Sequence, residues 1–174
     1  KLLSEEEKEK EKPIIKALLN QSIELDNNLI CSRRLLAELN HFKQYENSMS
    51  ILEKALFLAE QMDDKKEITL CLHDLSVQKM IQWRVENNNE KLKECQTLAK
   101  KCYEIAKFID DYEVMGKTCF MLGFSSSPVI GHEKSIKLLK QSVDAFKKIE
   151  DWENLEIAYF IIALNYKSRD YGKA

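Results

Sequence analysis

Apolar residues recur along this chain at spacings of three and four, the period of helices buried along one face. The spacing predicts helices near 14–25, 29–42, 45–62, 66–85, 90–109, 112–125, 132–149 and 152–168. Polar breaks between them are short: acidic pairs at 63–64, 110–111 and 150–151, and "ENNNE" at 86–90. The clearest irregular stretch is "SSSPVIG" at 125–131, where Pro128 and Gly131 interrupt helical continuity. The head, "KLLSEEEKEKEK", offers Ser4 and Glu7 as a capping box and Glu6 with Lys10 one turn apart. Pro13 is expected to end it, so residues 1–12 read as a charged helical extension or frayed N-terminus.

Three segments close alike: "ILEKALFLAEQMDD" (51–64), "LAKKCYEIAKFIDD" (98–111) and "LKQSVDAFKKIED" (139–151), with a shorter relative in "LLNQSIELDNN" (18–28). Aligning one small residue in each gives Ser22, Ala55, Cys102 and Ser142, separated by 33, 47 and 40 residues. Periods of that size belong to stacked helix pairs. The units read as a half repeat 13–27, repeats 28–64, 65–111 and 112–151, and a half repeat 152–174. The second is longer: nineteen residues separate Ser76 from Cys95, where twelve separate Gly123 from Ser135. Apolar residues continue through Met80, Ile81 and Trp83, so a longer helix is expected there rather than a long loop. The sequence breaks off in "DYGKA", which reads as a new helix opening after a turn, so a piece of a longer repeat protein is expected.

In "CFMLGFSS" followed by "SIKLLKQS", Leu122-Gly123 is followed at twelve residues by Ser135, then by Leu139 and Ser142. This resembles the tetratricopeptide repeat pattern, W-x2-L-G-x2-Y followed by A-x3-F-x2-A. Ser48, Leu52 and Ala55, and Cys95, Ala99 and Cys102, fall in the same second-helix places; the family's Trp and Pro are absent. The resemblance spans residues 13–174 and implies an all-α, right-handed solenoid of antiparallel helix pairs. It further implies that the first helix of each repeat lines a concave groove that binds a helix or peptide of another protein. Carried onto this sequence, the groove face is Arg34, Glu38 and His41, then His73, Val77 and Met80, then Lys117, Phe120 and Phe124, then Ile157, Phe160 and Leu164. With Arg34 and Lys117 its only full cations, this face suits an apolar or amphipathic segment better than a C-terminal carboxylate. The core between repeats is the competing place for the three phenylalanines.

Composition narrows the function classes. Four Gly and two Pro among 174 residues disfavour sandwiches and barrels. A net charge of −2 supplies no excess to neutralise phosphates, so nucleic acid is not an expected partner. No apolar run reaches a membrane span. Five cysteines without C-x-x-C suggest buried thiols in a reducing cytoplasm; Cys95 and Cys102 would stand about 10 Å apart on a helix, too far for a disulfide. His41, His73 and His132 stand singly, and no metalloprotease, EF-hand, P-loop or dinucleotide motif is present. The reading is therefore a non-enzymatic scaffold or adaptor, with no cofactor and no metal. A regulatory module for an attached catalytic or DNA-binding domain and a structural spacer are the alternatives. Self-association through the uncovered last helix is also expected.

Overall fold

The computed structural model describes residues 5–26, 29–40, 45–125 and 130–171. These form helices α1 (Glu5–Leu25), α2 (Ile30–Leu39), α3 (Tyr45–Gln61), α4 (Lys65–Glu86), α5 (Asn89–Phe108), α6 (Tyr112–Ser125), α7 (His132–Lys148) and α8 (Trp152–Tyr171), with no strand among the described residues. Each helix packs chiefly on its neighbours in sequence, and α4 additionally touches α2 and α6.

The acidic pairs are one turn built three times. Asp63, Asp110 and Glu150 take left-handed backbone, with φ of 51°, 55° and 55°. The next amide donates back to the helix just ended: Asp64 to the Ala59 carbonyl at 3.0 Å, Asp111 to Ala106 at 2.8 Å, Asp151 to Phe146 at 3.1 Å. These are Schellman closures made without glycine. The same three aspartates then cap the following helix, their carboxylates accepting from the amides of Glu67, Val114 and Asn154 at 3.0, 3.2 and 3.1 Å. One acidic dipeptide thus ends one helix and starts the next. The 86–90 break contracts to Asn87, also left-handed, and Asn88, whose side chain accepts from the Glu90 amide. At the start of α7, Gly131 sits at φ 83°, where a side chain would be strained.

The core follows one rule. In α3 the residues 48, 52, 55 and 59, in α5 95, 99, 102 and 106, and in α7 135, 139, 142 and 146 are each at most 1% exposed. Small side chains dominate these stripes and let neighbouring helices close in. Ser48 Oγ donates to the Ala37 carbonyl at 2.9 Å, and Ser135 Oγ to the Gly123 carbonyl at 2.6 Å. Burial runs on from Ile30 through Ala55, Cys71 and Cys102 to Val114, and from Leu139 through Phe146 to Ile162. Ser142 Oγ is buried with no hydrogen-bond partner among the described residues, where its counterparts are Ala55 and Cys102. Ser142→Ala is therefore expected to raise stability by about 1 kcal/mol in urea unfolding, since it removes an uncompensated hydroxyl.

Two expectations are corrected. Pro13 does not end a helix: α1 runs through it from Glu5 to Leu25. Pro13 is exposed, so the carbonyl deprived of its amide one turn earlier can be hydrated. The turn read after Lys167 is not there either, because α8 continues to Tyr171 and no Gly or Pro interrupts it before Gly172. The longer helix through Met80 and Trp83 is found as the 22 residues of α4. Ser4, residues 126–129 of the irregular stretch, and 172–174 lie outside the described residues.

Candidate functional site

Counting from the capping aspartates, the sixth, ninth and thirteenth positions of α4 are Leu70, His73 and Val77. All three line a cavity of about 930 Å³. Arg34 and Glu38 of α2, Lys12 and Lys16 of α1, and Val114 and Lys117 of α6 complete much of its wall. The cavity thus spans α1, α2, α4 and α6.

Arg34 is the electrostatic centre of the wall. Its Nε donates to Asp74 Oδ2 at 2.8 Å and its Nη1 to Glu67 Oε2 at 3.5 Å, tying α2 to α4. Burial opposes its charge, but Asp74 and Glu67 overcome that and hold the guanidinium above its ordinary pKa. His73 sits beside it with Nδ1 3.1 Å from Thr118 Oγ1 of α6. Burial first, then the Lys117 and Arg34 charges, push His73 down to about 4, so it is neutral near pH 7. Lys117 Nζ reaches Glu113 Oε1 at 2.5 Å. The wall therefore offers compensated charges, a neutral imidazole and apolar floor from Leu35, Leu70 and Val77.

The structure brings Arg34, Glu38, His73, Val77 and Lys117 around one cavity. The other expected face residues stand elsewhere. His41 lies outside the described residues. Met80 is not on the open face: it is 4% exposed against Leu92 and Cys95, because α5 extends alongside the longer α4 and covers it. Phe120 is half-buried against the core of α7 and α8, while Phe124 is half-exposed and stacks on it at 5.9 Å between centroids. Ile157, Phe160 and Leu164 are exposed along α8, outside that cavity. Sequence reading missed Lys12, Lys16 and Leu35. The two lysines are one turn apart, in phase with the half-buried Leu19 and Ile23, but Lys12 fell in the stretch read as an extension and Lys16 in the half repeat 13–27, to which no groove face was assigned.

Nucleophilic chemistry finds little support in the thiols. Burial raises Cys71, Cys95 and Cys119 to about 12 and Cys102 to about 11, which leaves them protonated and inert near neutrality. Cys31 is exposed. His132 pairs with Asn165, Nδ1 to Oδ1 at 3.3 Å. Among the described residues no group of three or more His, Cys, Asp or Glu is placed to hold a metal ion, and no helix is long and apolar enough to cross a membrane.

No family model matches the chain, and no curated protein matches it.

Proposed function

We propose that this chain is a tetratricopeptide-like, right-handed α-solenoid that serves as a protein–protein interaction module, a scaffold or adaptor in a reducing compartment such as the cytoplasm. Its ligand is a helix or peptide of a partner protein, held in the groove lined by α1, α2, α4 and α6. One observation carries the reading: Arg34 and Glu38 of α2, Leu70, His73 and Val77 of α4 and Lys117 of α6 line one cavity, while the stripes of α3, α5 and α7 are buried to the last per cent. The repeated Schellman-and-cap turns, the 4-3-4 spacing of small residues and the contacts of α4 with both α2 and α6 support it further. Recognition rests on shape and apolar contact, because Arg34 and Lys117 are already paired with Asp74 and Glu113 and contribute orientation and on-rate more than affinity.

A photoreactive phenylalanine at Val77 tests the reading, with a second at Lys100 on the exposed side of α5 as its counterpart. In extract, Val77 is expected to yield a discrete adduct with a peptide or helix of one or a few proteins. Lys100 is expected to give none of these. Equal labelling from both places, or none from Val77, contradicts a groove ligand.

A further inference from the structure

A helix and an extended peptide ask different things of the groove wall, and its uncommitted polar groups separate the two. His73 is neutral near pH 7 and so carries a single N–H. Thr118 decides which nitrogen holds it. Thr118 is 1% exposed, and its Oγ1 lies 3.1 Å from His73 Nδ1 and 3.5 Å from Cys102 Sγ. Cys102 spends its own proton on the Thr69 carbonyl at 3.3 Å, and its sulfur is a weak acceptor. The Thr118 hydroxyl therefore donates to Nδ1, which assigns the imidazole proton to Nε2. Nε2 has no partner among the described residues and is not sealed from solvent, and His73 lines the cavity.

Asn40, 6% exposed at the end of α2, lines the same cavity. Its Oδ1 is sealed without a partner, while Nδ2, also unpartnered among the described residues, keeps access to solvent. Lys16 of α1, half-buried in this wall, has no ion-pair partner among the described residues. The open groups are thus donors. The carboxylates near them are engaged, as Asp74 is by Arg34, or exposed to water, as Glu38 is.

We propose, building on the groove reading, that the ligand is an extended peptide segment, with one main-chain carbonyl accepting from His73 Nε2 and a second from Asn40 Nδ2. An α-helix spends its carbonyls internally except in its last turn, so a helix laid along this wall would bury both donors unpaired. An extended main chain offers a carbonyl at every residue whatever its side chains, those on one side recurring about every 7 Å. Apolar contact with Leu35, Leu70 and Val77 still supplies affinity; the donors select the backbone form.

Two displayed libraries are panned on the whole chain. One holds random segments of about twelve residues with two fixed prolines, which exclude a helix. The other randomises as many positions on one face of a helical hairpin. Binders blocked by Val77→Trp are expected from the proline library alone. In the best of them, replacing each peptide bond in turn by an ester weakens the carbonyl acceptor, and one position is expected to lose binding about fivefold. That loss is expected to vanish on His73→Phe, which keeps a ring but no N–H. Nitrogen-15 histidine spectra of the unsubstituted chain need no variant: Nε2 is expected to be the protonated nitrogen, and its resonance to move on binding. Groove binders from the helical library alone would leave the groove standing and overturn the extended ligand. No groove binder from either library would remove the groove itself. A flat ester scan, a proton on Nδ1, or binding that follows ligand carboxylates and is lost on Lys16→Gln each overturns the proposal.

Discussion

Gly116→Ala is expected to destabilise the protein by about 2 kcal/mol, although it replaces the poorer helix former by the best one in the interior of α6. On propensity alone the change would be favourable by about 1 kcal/mol. The added methyl would stand 2.6 Å from Cε1 and 2.7 Å from Cδ1 of Phe146, whose ring is 1% exposed and has nowhere to move. Overpacking therefore wins and the sign reverses. In a Phe146→Leu background the ring atoms are gone, and Gly116→Ala should become neutral or stabilising. A double-mutant cycle by urea unfolding reads this directly; additive effects would show that α6 and α7 do not meet as described.

The second large effect is acid sensitivity centred on His73. Its pKa falls from the ordinary 6.5 to about 4 in the fold, so between those values the unfolded chain takes up a proton that the folded chain refuses. Stability is then full above about pH 6.5, declines as pH falls through the window, and stops declining from this source below about 4. The drop amounts to about 3 kcal/mol. His73→Gln removes this source of pH dependence while keeping a hydrogen-bonding partner for Thr118, so the wild-type-minus-variant difference in stability should fall as pH drops from 6.5 to 4. A difference that does not vary with pH would mean that the imidazole is hydrated and free to charge. Carboxylates held below their ordinary range, Asp151 by Asn154 and Glu94 by Lys79, act at lower pH and cancel in the comparison.

The helices were legible because their buried faces are stripes of fixed spacing and because the acidic pairs sit where the backbone must reverse. The spacing marks Ser135, Leu139 and Ser142 as inward, and they are. The dipeptide 110–111 marks a boundary because Asp110 tolerates left-handed backbone and Asp111 can cap. Pro13 misled, since a proline reads as a stop whether or not its helix is exposed enough to hydrate the lost bond. Met80 misled for a different reason: extending α4 by two turns also extends the helix that covers it, so an outward register elsewhere becomes an inward one there. The groove was legible as a set of positions rather than as chemistry. Equivalent places hold Leu70, His73 and Val77 in α4 but Lys117, Phe120 and Phe124 in α6, and no residue type repeats from which a ligand could be named. Nor does spacing reveal that Arg34 is neutralised by Asp74 and Glu67, which depends on how α2 and α4 cross.

Amide hydrogen exchange on the chain alone and with the peptide captured at Val77 tests the shared groove most directly. Slowed exchange should arise together in α2, α4 and α6, the helices that line the cavity with α1. Protection confined to α3, α5 and α7, or to α8 alone, would contradict it.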